Sequence, residues 1–167
     1  MRKEKFIVTK ELGKLAKWLR ILGYDSVYYR DSDVAGLVIR ALREKRILLT
    51  RQADLEKYKG IKDVIIEHDH VEDQLEQVTG SLGLSFSEED MFRICVECNS
   101  PLEPVEKEKV KGRVPEYVYR THKQFKQCPE CDKIFWKGSH WDMVTGWLEK
   151  HGIEEQGSDE DQKNGKS

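Results

Sequence analysis

At 167 residues the chain has room for one ordinary domain, or for one domain and a small module. With 38% hydrophobic and 36% charged residues it can bury a core under a highly charged surface, and a formal net charge of −2 excludes nucleic-acid binding by global charge, so any such partner must meet local basic patches. No apolar run approaches the roughly 20 residues needed to span a bilayer, and the N-terminal MRKEKFIVTKELGK lacks the apolar stretch of a secretory signal, which makes a cytoplasmic protein the expectation.

Phe6, Ile7 and Val8 predict a first strand. In the following ELGKLAKWLRILGYD, Leu12, Leu15, Ala16, Leu19 and Leu22 share one side at about 100° per residue. This predicts a helix, with Gly23 as its C′ residue. Lys10, Lys14 and Lys17 fall on the other side, with Arg20 at its margin. SVYY at 26–29 predicts a second strand. Ser32 or Asp33 then caps a helix whose apolar residues are Leu37, Val38, Ala41 and Leu42. Strand three is Ile47 to Thr50, followed by a short helix around 53–58. Strand four is Asp63 to Ile66, and a helix starts near Val71 with Leu75 and Val78 facing inward. Strands alternating with helices at this spacing predict an α/β fold with a doubly wound, mostly parallel sheet over residues 1–85.

SLGLSFSEED reads as a connector. From Met91 the pattern changes to cysteine pairs and aromatic residues, predicting a second module over 91–145. The segment 152–167 has almost no apolar content and reads as a disordered acidic tail.

The cysteine pairs are CVEC, with Cys95 and Cys98, and CPEC, with Cys128 and Cys131. Each puts two soft ligands on one tight turn, and four thiolates suit a closed, structural tetrahedral zinc site. Asn99 and Asp132 follow the pairs, and both residue types tolerate the left-handed backbone such turns use. The 29-residue gap between Cys98 and Cys128 exceeds the usual 15–20 or so, which predicts an insertion within a ribbon. His122 and His140 read as surface or packing histidines rather than further ligands.

In open α/β sheets, ligands bind beyond the carboxyl ends of the strands. The residues expected there are Thr9, Lys10 and Glu11; Asp31 and Asp33; Thr50, Arg51, Gln52 and Asp54; and His68 and Asp69. Carboxylates converging at this edge would hold Mg²⁺ or Mn²⁺. Asp31 and Asp33 have a second reading, as a turn residue and a helix cap. Two stretches are candidates for RNA. The lysine face Lys10, Lys14 and Lys17, with Arg20, is one, though it also reads as a solvated helix face. The other is RVPEYVYRTHKQFKQ, where basic groups including Arg120 and Lys123 alternate with Tyr117, Tyr119 and Phe125. Basic groups beside aromatic platforms suit single-stranded RNA, and the same aromatics equally suit a small core.

The phrases VTKELGKLAKWLRILGYD, YYRDSD, RILLTR, CVECNSPLEPV, RVPEYVYRTHKQF and CPECDKIFWKGSHW resemble those of the mut-seven C-terminal RNase domain family, over about residues 5–142. The resemblance implies a PIN-like nuclease fold followed by a zinc ribbon, and metal-dependent RNA cleavage by clustered acids. It implies Asp31, Asp33 and Arg51 as catalytic residues, with Arg51 meeting phosphate. The family pattern has aspartates where this chain has Thr9 and Gln52, and losing two anionic ligands weakens Mg²⁺ binding. Two alternatives to hydrolysis follow: a catalytically impaired domain that binds RNA or a ribonucleoprotein, and a protein-interaction module.

Overall fold

A computed structural model of the chain describes residues 4–53, 58, 60–87 and 89–150. The chain divides into two compact units, Met1–Leu84 and Ser85–Ser167. The expected helix at 53–58 lies, over 54–57, outside the described residues, as do Asp54 and the expected tail at 152–167.

The first unit is a four-stranded sheet flanked by helices. Its strands are β1 (Phe6–Thr9), β2 (Ser26–Tyr29), β3 (Ile47–Thr50) and β4 (Asp63–Ile65). They run in the order β2-β1-β3-β4, and every neighbouring pair is parallel. β1 and β3 are buried at every position. Continuous apolar runs such as FIVT and ILLT are what a central parallel strand covered on both faces requires. On one face Ile7 and Leu48 meet Leu37 and Ala41 of helix α2 (Val34–Glu44). Alternation turns Phe6 to the other face, where its ring meets Tyr24 edge-on at 5.7 Å. Helices α1 (Gly13–Ile21) and α3 (Val71–Leu82) pack against each other.

Helix α1 buries the side that its periodicity predicts. Leu12, Leu15, Ala16, Leu19 and Leu22 are all at most 1% exposed. The chain enters it through a 3₁₀ turn over Lys10–Leu12, and the α-helix begins at Gly13. Gly23 has φ 91°, and Gly23 and Tyr24 donate to the carbonyls of Arg20 and Leu19. This is a Schellman ending, and the positive φ explains the glycine. Lys45, with φ 55°, closes α2 the same way, with Arg46 N–H bonded to Ala41.

Three expectations change. Leu42 is 46% exposed, so only Leu37 and Ala41 of α2 are buried. Asp33 stands at the N-cap position of α2 without a side-chain capping bond. Arg20 is 7% exposed, with Nε donating to the Ser26 carbonyl, so its guanidinium belongs to the α1–β2 joint and not to the lysine face.

Arg46 ties the amino-terminal edge of the sheet together. Its side chain, 8% exposed, donates to Phe6 O, to Asp25 Oδ1 at 2.8 Å and to Glu44 Oε1 at 2.7 Å. Truncating it removes a donor from the Phe6 carbonyl and a partner from Asp25, while Glu44 keeps Arg40 at 2.8 Å. Arg46→Ala should therefore lower the stability of this unit by about 2 kcal/mol, read from its urea unfolding midpoint.

The second unit holds a three-stranded antiparallel sheet. β5 (Glu103–Val105), β6 (Phe125–Gln127) and β7 (Ile134–Phe135) lie in that order. The expected insertion between the cysteine pairs is a 3₁₀ turn over Lys107–Val110 and helix α4 (Glu116–Thr121). Val110, Val114 and Val118 close on Phe125 as a small core. Helix α5 (Ser139–Lys150) follows, where the sequence reading placed no helix.

Candidate functional sites: a thiol cage and a cleft at the sheet edge

The two cysteine turns are built alike. Cys95 N–H donates to Ser100 O and Asn99 N–H to Cys95 O; Cys128 N–H donates to Lys133 O and Asp132 N–H to Cys128 O. Asn99 and Asp132 take φ of 62° and 63°, which lets each chain leave its turn while both sulfurs stay on the same side. The four sulfurs all lie within 4.8 Å of one another, and Cys95 Sγ is 3.7 Å from Cys131 Sγ. With Zn–S bonds of about 2.3 Å, a tetrahedral thiolate cage has edges of about 3.8 Å, so the spacing fits zinc. Four protein ligands would make a closed site, the kind zinc occupies in a structural role. His122 is not a ligand: its Nε2 lies 3.0 Å from Lys137 O and its Nδ1 3.3 Å from Val118 O.

Crowding four thiols makes their charged forms mutually costly. Burial pushes the Cys95 thiol up, while hydrogen bonding to Cys131 is the chief cause that pushes Cys98 up to about 12. Cys131 is lowered, chiefly by the Lys133 N–H. Zinc binds cysteine as the thiolate. It must displace the thiol protons, so its affinity rises with pH and falls in acid. The purified chain should carry about one zinc per chain, release it to a colorimetric chelator as pH is lowered from 7 to 5, and lose it in Cys95→Ser/Cys128→Ser.

In the first unit the sheet order reverses direction between β1 and β3, which makes the carboxyl ends of these strands the switch point where α/β sheets bind ligands. A cleft of about 80 Å³ opens there. It is lined by Thr9, Lys10 and Glu11 after β1, by Asp31, Ser32 and Asp33 after β2, and by Gln52 after β3. The Lys10 ammonium donates to Ser32 Oγ at 3.1 Å, and Tyr28 OH donates to Lys10 O, so the end of β2 closes over the 3₁₀ turn.

Glu11 is the anion at the centre of this edge. Its Oε1 accepts from Thr9 Oγ1 at 2.6 Å, from Arg51 N–H at 3.2 Å and from Thr50 Oγ1 at 3.5 Å. Thr50 Oγ1 in turn accepts from Gln52 N–H at 3.1 Å. Burial raises the Glu11 carboxyl, but the hydrogen bonds from Thr9, its own backbone, Arg51 and Thr50 outweigh it and hold it below the usual range. Glu11 was legible as one of several edge residues. Its central place was not, although Thr-Lys-Glu directly after a buried strand is the signal for it.

The β2–α2 turn carries the other acids. Burial, then the charges of Asp33 and Asp31, push the Tyr29 phenol up, and Tyr29 OH donates to Asp33 O at 3.2 Å. Gly36 makes this arrangement possible, since a Cβ there would come within 2.5 Å of Tyr29 OH and 2.7 Å of Asp33 Oδ2.

Among the described residues, the four thiols are the single group of three or more cysteine, histidine or acidic side chains whose ligand atoms all lie within 4.8 Å of one another. Glu11, Asp31 and Asp33 line one cleft. Arg51 turns away from the cleft. Its guanidinium donates to His68 O and to Asp69 Oδ1, the latter at 2.8 Å. Lys14, Lys17, Arg120 and Lys123 are exposed.

The class is a mixed α/β domain with a parallel four-stranded sheet flanked by helices, followed by a four-cysteine module consistent with a zinc ribbon. The model of the Mut7-C RNAse domain matches residues 4–148, and the chain belongs to that family. No curated protein and no solved structure matches it. No helix among the described residues is long and apolar enough to cross a membrane.

Because its folded pKa is depressed, Glu11 contributes stability above the ordinary glutamate value of 4.5, and loses it as pH falls through the lower folded value. Glu11→Gln should leave the first unit less stable at pH 7 and narrow the gap between its urea midpoints at pH 7 and at about pH 3.

Proposed function

We propose that this chain binds single-stranded RNA and that its PIN-like unit is catalytically impaired. The observation that carries this reading is the state of the cleft. Thr9 and Gln52 stand where the family pattern has aspartates, and Glu11 Oε1 is already engaged by two hydroxyls and a backbone N–H. Membership of an RNase-domain family supports RNA as the ligand class. Lys10, Lys14 and Lys17 on the first unit, and Arg120 and Lys123 on the second, would meet phosphates.

A second reading keeps Mg²⁺- or Mn²⁺-dependent hydrolysis, with Asp31 and Asp33 as metal ligands and Arg51 on phosphate. It is favoured by one observation, that Glu11, Asp31 and Asp33 open into the same cleft.

Labelled single-stranded RNA separates the two. Under the first reading the chain binds it in a salt-sensitive manner, does not cut it with Mn²⁺, and Lys14→Glu/Lys17→Glu flattens the log–log salt slope by about 0.7 per lost phosphate contact. Cleavage that vanishes in Asp31→Asn/Asp33→Asn establishes hydrolysis instead. With neither binding nor cleavage, the protein-interaction reading stands.

A further inference from the structure

The second unit contains a pocket of about 270 Å³ that the thiol cage does not use. Strand alternation and register build it. Lys126 of β6 lies directly opposite Phe135 of β7, so their side chains share one face of the sheet. Gln124 and Lys137, two residues along from each, line the same pocket. Phe125, one position over, points to the opposite face and into the valine core. Met91 and Phe92 form the buried apolar floor, and Trp136 closes one side.

Two local features hold this shape. Phe92 has φ 58°, a backbone that bulky residues rarely adopt, and its carbonyl accepts from Lys126 Nζ at 2.9 Å. Gly138 leaves room for the Trp136 indole, because a Cβ there would come within 2.7 Å of Nε1. The glycine of FWKG thus has a steric reason in the pocket wall.

The pocket is electropositive. Lys126 and Lys137 both line it. Glu89 is the one carboxylate among the lining residues. A volume just under the ~300 Å³ at which small-molecule sites begin suits one planar group and not a drug-sized ligand.

We propose that this pocket takes a single unpaired nucleotide of RNA, its base against Phe135 and its phosphate at Lys126 and Lys137. A half-buried aromatic face beside two ammonium groups is the combination that binds single strands without reading sequence. A duplex keeps its bases stacked and offers no free base face to the pocket. This assignment rests on the RNA-binding reading above and adds to it the location and the single-strand preference.

The test uses the full, zinc-loaded chain and fluorescein-labelled octauridylate, followed by anisotropy. Phe135→Leu keeps apolar volume and removes the aromatic face. It should weaken binding by about five-fold or more, the lower end of what base–aromatic stacking contributes. Lys137→Glu should weaken it as well, and octauridylate carrying 5-iodouridine should photo-crosslink to the peptide containing Phe135 and Trp136. Zinc content shows that each variant retains its fold. Should Phe135→Leu lose zinc, Lys137→Glu and the crosslink decide.

Wild-type binding that both variants retain, with crosslinks elsewhere, overturns the pocket and leaves the RNA reading intact. No wild-type binding overturns both. A polyglutamate peptide that binds more tightly than octauridylate and depends on Phe135 overturns the nucleotide in favour of an acidic protein partner.

Discussion

Strands β1 and β3 lie side by side, buried on both faces and only four residues long. Both end on a threonine at the same edge, so two hydroxyls arrive together in a buried place where each needs a partner. Glu11 supplies it. One carboxylate oxygen gathers Thr9, Thr50 and the Arg51 N–H, joining residues 40 positions apart in the chain. The 3₁₀ turn, the entry into α1 and the floor of the cleft all follow from where that carboxylate sits.

The same closure accounts for the character of the cleft. An aspartate at the end of β1 would place its charge where a metal could share it. A threonine there places a donor instead, and the nearby acid is drawn inward to satisfy it. The charge at the switch point is therefore spent on structure. Arg51 behaves alike: its guanidinium is bound to the β4–α3 connection through His68 O and Asp69.

The second unit joins a small core to the cysteine turns. Three valines and a phenylalanine lie at its centre, and the flanking turns carry the thiols. Zinc binds cysteine as the thiolate, so metal binding, proton release and fold would be linked there. The ribbon's short strands also set which face each side chain takes. One face buries Phe125, and the other sets Lys126 beside Phe135. The even balance between RNA platform and core for the aromatic stretch thus divides by position: Phe125 is core, Tyr117 is 63% exposed, and Tyr119 lies under the Lys107 ammonium.

Much of this was legible in the sequence because it depends on local periodicity. The 3.6-residue repeat of α1 identified its buried leucines, the apolar runs identified β1 and β3, and Cys-x-x-Cys spacing identified the cage with its left-handed Asn99 and Asp132. What escaped was set by partners distant in the chain. Arg20 falls at the margin of the lysine face by helical angle, yet the start of β2 offers it a buried carbonyl. Leu42 carries the right period, but α2 presents only Leu37 and Ala41 as buried residues. Strand order, the convergence of Thr9, Glu11 and Thr50, and the pairing of Lys126 with Phe135 are matters of register between separate segments. The sequence by itself determined the strands and main helices of the first unit and which metal the cysteines suit. Only the tertiary structure decided that Glu11 joins the ends of β1 and β3, because that depends on which hydroxyls and N–H groups reach its carboxylate.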